Sequence, residues 1–377
     1  MRIKLFSSKV NLLPGEPLGG SDPSRVSQSS NEILECNGFE VLAEDGLSYR
    51  VWSVDALYAG RLVDYFAKSE RKHIFAATHT HYAPMLDDRK PHIGKFSRLG
   101  FEAYVDALEQ PQVGEVESTL CRVYRANVGI PIYRRFDYPD SFLNRFLSSR
   151  FGFYPNGAKT VDRSIYFFEF GDVGQSHFVL VYHACHPTSR GVSCELSADY
   201  VGAIRSAVRE RFAVDVVVFL QGCAGDIRPN LAKKRLSWLP RFRLNWKFNW
   251  HPDAADIFKV NRVYIDAVKA AIKCQEASVD RVGFEFRQLT LGGGRTAEAV
   301  SFEFLPGVRF HFFPFEISHL YHLELIKHGH SDFIVSCAND TIGYLSHSAQ
   351  HKALGYEVTG SLHYMGLKEK LEVKELL

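Results

Sequence analysis

Apolar runs of strand length alternate with segments of helical periodicity along most of the chain. The valine-rich run at 214–220 is the clearest prediction of a buried strand, and Val201, Ile204, Val208 and Phe212 lie at helical spacing before it. Strands are predicted at 49–55, 73–78, 116–125, 164–170, 177–182, 214–220 and 332–337, and helices at 56–68, 98–109, from 197 onward, 256–275, 316–329 and 366–376. This alternation predicts the α/β class, with a mixed, largely buried sheet flanked by helices.

Composition and charge narrow the class of protein. With 377 residues and 46% hydrophobic content, the chain is long enough for one large core, and we predict a single domain over 1–377. A net charge of +2 does not indicate a nucleic-acid partner. The 7 cysteines are odd in number and lack C-x-x-C spacing, and the opening apolar stretch is too short for a signal peptide. We therefore expect a cytoplasmic protein.

Four segments with reactive side chains each follow a predicted strand. They are 78–84, 183–189, 221–226 and 338–344, and together they contain imidazole, carboxylate and phenol groups beside glycine turns. Because ligands bind outside the carboxyl ends of strands in open α/β sheets, we expect these segments to form a site. Each segment alone is weak evidence, since an isolated His-x-His pair is more commonly a surface feature and Gly225-Asp226 fits an ordinary tight turn.

Other histidines offer rival metal sites. Glu316, His319 and His322 would share one face of the predicted helix at 316–329, although E-x-x-H is a short and common pattern. A second His-x-His pair is His328 and His330, and His347 and His351 lie in a polar segment. The chain contains no G-x-S-x-G elbow, P-loop, H-E-x-x-H or G-x-G-x-x-G pattern.

Taken together, the motifs resemble the neutral/alkaline (non-lysosomal) ceramidase family, specifically its N-terminal catalytic domain. The matching pieces are Ala-Thr-His-Thr-His at 77–81, Ala-Cys-His-Pro-Thr at 184–188, Gln-Gly-Cys-Ala-Gly-Asp-Ile-Arg-Pro-Asn at 221–230, the stretch 339–356 and the opening at 11–20. They stand in the family's order and at roughly its spacing. The resemblance implies a zinc-dependent amidase, because members of this family cleave the N-acyl bond of ceramide.

The resemblance also implies roles for particular residues. The implied zinc ligands are His79, His186, Glu316 and Tyr344. The implied catalytic residues are His81 for proton transfer, and Tyr356 and Arg134 for stabilising the oxyanion, with Arg135 as the alternative arginine. The positions implied to contact substrate are Gly222, Asp226 and Arg228.

The chain departs from the family pattern in two respects. Arg228 stands where the family has an active-site serine, and we expect no counterpart of the family's C-terminal β-sandwich domain. The segment 228–253 is also rich in basic and aromatic residues. It fits three interpretations: a solvated basic loop, a lid over an anionic substrate, or a patch in peripheral contact with an anionic membrane.

These observations favour a zinc amidohydrolase acting on the N-acyl group of a small molecule, glycan or lipid. Because an arginine in the cleft favours a carboxylate or phosphate, the specific hypothesis is an N-deacetylase of an amino sugar in surface polysaccharide metabolism. Three alternatives stay open: a ceramidase-like lipid amidase, an esterase on the same scaffold, and a metal-free binding protein.

Overall fold

The computed structural model describes residues 1–20, 22–30, 32–137, 151–234, 246–279, 281–291, 296–351 and 355–365. Its strands are β1 (Arg2–Val10), β2 (Ser29–Ser30), β3 (Leu34–Leu42), β4 (Ser48–Val54), β5 (Lys72–Ala77), β6 (Gln112–Glu117), β7 (Leu120–Asn127), β8 (Pro131–Asp137), β9 (Phe151–Asn156), β10 (Ser164–Asp172), β11 (Gln175–His183), β12 (Glu195–Leu196), β13 (Val216–Gln221), β14 (Ile227–Pro229), β15 (Ala232–Lys234), β16 (Trp246–Phe248), β17 (Ile272–Ser278), β18 (Gly283–Thr290), β19 (Thr296–Leu305), β20 (Val308–Phe312), β21 (Phe315–Ile317), β22 (Phe333–Val335) and β23 (Gly343–Leu345). Its helices are α1 (Arg61–Phe66), α2 (Arg98–Glu109), α3 (Tyr200–Phe212), α4 (Ala254–Ala270), α5 (His319–Lys327), α6 (Ser348–His351) and α7 (Tyr356–Met365).

The strands form three main sheets rather than the one sheet that the sequence predicted. The first has the order β5-β4-β3-β1-β6, the second β13-β11-β10-β7-β17, and the third β18-β19-β20-β22. Each is mixed, since the pairs β4–β5, β11–β13 and β20–β22 are parallel and the remaining pairs are antiparallel. The α/β expectation therefore holds only coarsely: the architecture is mixed sheets with few helices. Periodicity gives strand type but not which strands share a sheet.

Strand β13 is buried on both faces and separates two parts of the core. Val218 and Leu220 join the apolar cluster among the three sheets, whereas Val217 and Phe219 pack toward α3 and α4. Its free edge is satisfied by a side chain, because Ser53 Oγ on β4 donates to Phe219 O at 2.8 Å and accepts from Phe219 N at 3.1 Å. This contact fixes the first sheet beside the second, so that β5 and β11 end near each other.

A buried ion pair strengthens the same junction. Arg205 of α3 donates from Nη1 and Nη2 to the two carboxylate oxygens of Asp55, at 2.8 and 2.5 Å. Asp55 also accepts from Thr78 Oγ1 at 3.1 Å. Both ends of this bidentate pair are buried, so losing either partner would leave an uncompensated charge in the interior. The pair holds the segment that immediately precedes His79.

Several predicted boundaries need correction. The helix predicted at 56–68 spans only Arg61–Phe66, and Gly60 before it has a positive φ of 54°. The strand predicted at 116–125 is two strands, β6 and β7, and the helix predicted at 256–275 ends at Ala270 and leads into β17. The helix predicted at 366–376 lies outside the described residues. No helix in the described ranges is long and apolar enough to cross a membrane.

The helix predicted at 316–329 starts three residues late, which matters for the site. Ser318 is its N-cap and accepts a hydrogen bond from Leu320 N at 3.3 Å, so α5 begins at His319. Glu316 instead lies on β21, where it pairs directly with Tyr344 of β23 in a parallel register. The rival set of Glu316, His319 and His322 on one helix face is therefore wrong.

Candidate metal centre and active site

The four reactive segments meet in the structure, as their positions after strands predicted. His186 N donates to Ile227 O at 3.2 Å, and Gly225 N donates to Ile317 O at 2.8 Å. Ala77 N donates to Cys337 O at 3.1 Å, next to the bridge between Ala76 and Ala338. These backbone contacts join the segments after β5, β11, β13 and β22 around β21.

His79 and His186 face each other through their Nε2 atoms. His79 Nδ1 donates to Leu57 O at 2.9 Å, and His186 Nδ1 donates to Ala224 O at 2.8 Å. With its proton on Nδ1, each ring in its neutral form presents a lone pair at Nε2, and the two Nε2 atoms lie 3.1 Å apart. Orientation by a backbone carbonyl in this way is typical of histidines that bind metal.

Glu316 adds a carboxylate oxygen to this pair. Its Oε2 lies 3.2 Å from His79 Nε2 and 3.7 Å from His186 Nε2, and it has no hydrogen-bonding partner among the described residues. Its Oε1 accepts from the Tyr58 hydroxyl. Burial opposes ionisation of Glu316, but the positive charge of His79 outweighs that effect and lowers the carboxyl pKa. The carboxylate therefore stays charged inside the protein.

The three facing atoms fit a divalent metal. Their separations of 3.1, 3.2 and 3.7 Å average close to the distance of about 3.3–3.4 Å between two ligands of tetrahedral zinc. Without a metal, a proton on His79 Nε2 offsets the charge of Glu316, and a bound divalent cation would take the place of that proton. Burial lowers the pKa of His186 well below its usual value, which keeps that ring in the neutral, metal-binding form. Burial opposes protonation of His79 too, but Cys337 and Glu316 attract positive charge and raise its pKa.

His81 completes a second potential ligand set. One ring nitrogen from each of His79, His81 and His186 lies within 4.8 Å of the other two, so these three histidines could also hold a metal ion. Burial, and then the positive charge of His79, lower the pKa of His81, so its imidazole is neutral. The ring packs against Gly20, whose φ is +120° and where an added Cβ would lie 2.5 Å from His81 Nδ1. The site thus contains more potential ligand atoms than one metal ion needs.

Strained backbone is concentrated at the centre. Among the described residues, five that are not glycine have positive φ, and three of them are His79 at 66°, Cys337 at 54° and Asn339 at 46°. Such conformations cost about 1–3 kcal/mol each and persist where the surrounding structure enforces them. Here Ala56 O accepts from His79 N at 2.9 Å, and Phe75 O accepts from Asn339 N at 2.7 Å.

Arg134 connects the centre to two tyrosines. Its Nη2 donates to Gly225 O at 2.6 Å, to Tyr344 OH at 3.2 Å and to Tyr356 OH. Its Nε donates to Glu357 at 3.2 Å. Burial raises the pKa of Tyr344, and the charge of Glu316 raises it further, so the phenol keeps its proton.

Of the two candidate arginines, only Arg134 lines the pocket. Arg135 is fully buried, and its Nη1 donates to the other oxygen of Glu357 at 2.6 Å. Arg134, rather than Arg135, therefore lies in the cleft.

Two residues predicted to contact substrate lie behind the pocket wall. Asp226 is buried and accepts from Ser318 Oγ at 2.6 Å, His319 N at 2.7 Å and Gln350 Nε2 at 2.6 Å. Gly222 packs so closely on Tyr182 that an added Cβ would lie 2.8 Å from its ring. Asp226 contacts the segment that follows Glu316, and Gly222 N donates to His183 O in the segment that carries His186. Neither residue lines the pocket in this structure, and their contact with substrate stays a prediction.

The remaining histidines named from the sequence are occupied elsewhere. His319 Nε2 accepts from Asp162 N at 2.8 Å, and His322 Nε2 contacts Asp162 Oδ2 at 2.9 Å. His347 Nε2 lies 3.0 Å from Glu324 and His351 Nε2 lies 3.2 Å from Ser346 Oγ. His328 and His330 are exposed at the end of α5.

A pocket of about 1030 Å³ opens onto the centre. Its walls include Tyr58, His81, Arg134, Arg228 and Trp250, together with His186 and Glu316. The segment 228–253 contributes Arg228 and Trp250 to this wall, while Lys233 and Lys247 are exposed on the β15–β16 hairpin. Residues 235–245 of the basic and aromatic stretch lie outside the described residues.

Sequence reasoning missed Tyr58, Cys337 and Glu357. Tyr58 falls inside the segment predicted as a helix, and no local pattern marks it as a partner of a residue 258 positions away. Cys337 lies at the end of a predicted strand, where burial raises the pKa of its thiol. Only the three-dimensional arrangement identifies them.

Two solved structures share the fold of this chain. The neutral ceramidase from Pseudomonas aeruginosa has a TM-score of 0.68 at 13% sequence identity, covering 96% of this chain and 71% of that chain. A ceramidase complexed with C2 has a TM-score of 0.66 at 13% identity, covering 96% and 72%. No protein-family model and no protein of curated function matches the sequence. The chain has a neutral-ceramidase-like fold.

Proposed function

We propose that this protein is a zinc-dependent amidohydrolase that removes an acyl group from a nitrogen atom. The observation that carries the proposal is the triangle of His79 Nε2, His186 Nε2 and Glu316 Oε2, buried at one end of a large pocket. Support also comes from the two structural neighbours, both of which are ceramidases. His79, His186 and Glu316 would hold the zinc, with Tyr344 beside them as the fourth ligand.

The chemistry divides between the metal and the chain. Bound zinc supplies a water of lowered pKa and polarises a carbonyl group. His81 lies beside both ligand histidines, so it would take up a proton from the attacking water and return it to the leaving nitrogen.

Arg134 and Tyr356 would act on the carbonyl side of the amide bond, opposite the leaving nitrogen. The Arg134 guanidinium is buried, and it is already oriented by Gly225 O and Glu357. Donors fixed in advance can stabilise developing negative charge without having to reorganise. Arg134 and the Tyr356 hydroxyl, which contact each other, would therefore stabilise the tetrahedral oxyanion.

The specific substrate we propose is an N-acetylated amino sugar of a surface polysaccharide or its precursor. The pocket wall combines an aromatic face, Trp250, with cationic groups, Arg134 and Arg228, which suits a sugar ring bearing an acidic group. A lipid amide is the second candidate, and it is favoured by the ceramidase neighbours and by apolar lining residues such as Leu57, Ile93 and Ile342.

A matched pair of substrates tests the reaction. Chelator-treated and zinc-reloaded protein should be assayed with the N-acetyl and O-acetyl forms of one sugar and with a lipid N-acyl amide. The proposal expects free amine only from the reloaded protein, with a Glu316→Ala variant as the inactive control. Cleavage of the ester alone would instead assign an esterase. Metal binding without any turnover would contradict the proposed hydrolase.

A further inference from the structure

Arg228 is a buried cation without an acidic partner among the described residues. Its residue exposure is 3%, and its one hydrogen bond to the described chain runs from Nη2 to Thr188 O at 3.3 Å. Its Nε is buried and has no hydrogen-bonding partner in the part of the chain that the structure describes. Leaving a guanidinium in the interior without a carboxylate is costly, because both its charge and its donors are taken out of water.

Three aromatic rings hold the guanidinium in place. Arg228 Cζ lies 4.6 Å from the centre of the Phe248 ring, 4.9 Å from Trp250 and 5.6 Å from Phe153. The rings of Phe153 and Trp250 are themselves stacked at 5.6 Å. Such faces stabilise a cation and fix its plane, but they accept none of its conventional hydrogen bonds. The planar donors stay oriented and available.

The other charges on the pocket wall are already compensated. Lys90 contacts Asp87 at 2.5 Å, Arg134 contacts Glu357 at 3.2 Å, and Glu316 faces His79 at 3.2 Å. Arg228 is therefore the one wall charge that the described residues leave unbalanced. Burial, and then the positive charge of Arg134, lower its pKa to about 10, which still leaves it protonated at neutral pH.

The backbone places this arginine beside the proposed metal centre. Thr188, whose carbonyl accepts from Arg228, is two residues from His186, so their Cα atoms are at most about 7 Å apart. Arg228 itself follows Ile227, whose carbonyl accepts from His186 N at 3.2 Å. An anionic group bound at Arg228 would thus lie close enough to the metal centre to belong to the same substrate molecule as the reacting amide.

We propose that Arg228 and its three aromatic neighbours form an oxyanion-binding subsite, so that the substrate carries a carboxylate or phosphate close to its N-acyl group. This inference rests on the proposed function for the identity of the substrate, but the subsite itself does not require catalysis. A guanidinium binds either oxyanion through two parallel hydrogen bonds. Neutral N-acyl compounds lack this contact and bind more weakly.

Direct binding measurements test the subsite. The full chain, treated with a chelator so that no metal offers a second anion site, should be titrated calorimetrically with inorganic phosphate. It should also be titrated with N-acetylglucosamine, N-acetylglucosamine 1-phosphate and N-acetylmuramic acid, which are neutral, phosphorylated and carboxylated. Both anionic sugars should bind at least about tenfold more tightly than the neutral one, the size of one charge-assisted hydrogen bond.

Variants assign the effect to Arg228. Arg228→Gln should abolish phosphate binding and reduce the preference for anionic sugars to less than about twofold, while Arg228→Lys retains part of it. Lys233→Gln removes one positive charge from the exposed hairpin nearby and should change nothing. If Arg228→Gln does not fold, the partial loss of phosphate affinity in Arg228→Lys provides the test, together with competition between phosphate and the anionic sugars in the unaltered chain.

The possible outcomes separate the subsite from the proposed function. Phosphate binding that depends on Arg228, without binding of any sugar, would support the subsite and count against the amino-sugar substrate. Equal affinity for neutral and anionic sugars, absence of phosphate binding, or phosphate binding that survives in Arg228→Gln would overturn the inference.

Discussion

Replacing Tyr58 with phenylalanine should weaken metal binding while leaving the fold intact. The Tyr58 hydroxyl donates to Glu316 Oε1, and the carboxylate's other oxygen faces the two histidine nitrogens. Tyr58 is itself no ligand in our proposal. It fixes the rotation of the Glu316 carboxylate, so that Oε2 points into the centre.

The size of the effect follows from the kind of bond removed. A hydrogen bond to a charged group contributes about 1.5–3 kcal/mol, and loss of a residue that orients a metal ligand typically costs about 10- to 100-fold in affinity. Because Tyr58 is 6% exposed and Glu316 3% exposed, no bulk water would replace the lost donor. We therefore expect zinc to bind about 10- to 100-fold more weakly to Tyr58→Phe.

Competition against a chromophoric chelator measures this affinity. The matched control is Tyr104→Phe, which removes a buried hydroxyl that donates to Asp55 O and does not line the pocket. The control should lose stability but keep its zinc affinity. If Tyr58→Phe bound zinc within about twofold of the parent, an effect far below that expected for a ligand-orienting residue, Glu316 would not be a ligand oriented by Tyr58.

Two further predictions concern the proton-transfer residue and acid stability. His81→Ala should retain metal but lose about 100- to 10,000-fold in amide hydrolysis, so loss of metal in this variant would instead make His81 a ligand. Glu35 has a pKa lowered to about 2, because Arg205 and Arg209 outweigh the effect of its burial. Its ionised form therefore stabilises the fold by up to about 3 kcal/mol above pH 4.5, and this contribution is lost as the pH falls toward 2. The free energy of unfolding, measured with urea, should fall between pH 5 and pH 3 by about 2 kcal/mol less in Glu35→Gln than in the parent. An equal fall in both proteins would refute the stabilising role given to the ionised Glu35.

The sequence predicts most of the elements around the site but not how they assemble. The helix predicted at 98–109 has these bounds in the structure, and the strand predicted at 214–220 is found at Val216–Gln221, because strong periodicity and β-branched runs act locally. The division into three sheets was missed, since it depends on contacts such as Ser53 with Phe219 that are distant in sequence. Placement of Glu316 was missed because Ser318, a cap inside the apolar periodic run, determines where α5 begins.

The candidate site was predictable to the extent that its residues follow strands. His79, His81 and His186 were located by that position, and the structure brings them together. The sequence could not show that Asp226 accepts from His319 N at the start of α5, because a carboxylate beside a glycine looks the same in sequence whether it faces a substrate or caps a helix. The expectations of a single domain, a cytoplasmic location and peripheral membrane contact through 228–250 stay predictions.

Metal content is the most direct test of the central claim. Elemental analysis should be made on the purified protein after zinc is supplied, beside a His79→Ala, His186→Ala double variant and Tyr104→Phe as a folded control. The account predicts about one zinc per chain in the parent and control, the stoichiometry of a catalytic site, and none in the double variant. Absence of stoichiometric metal from the parent, or its retention in the double variant, would contradict the account.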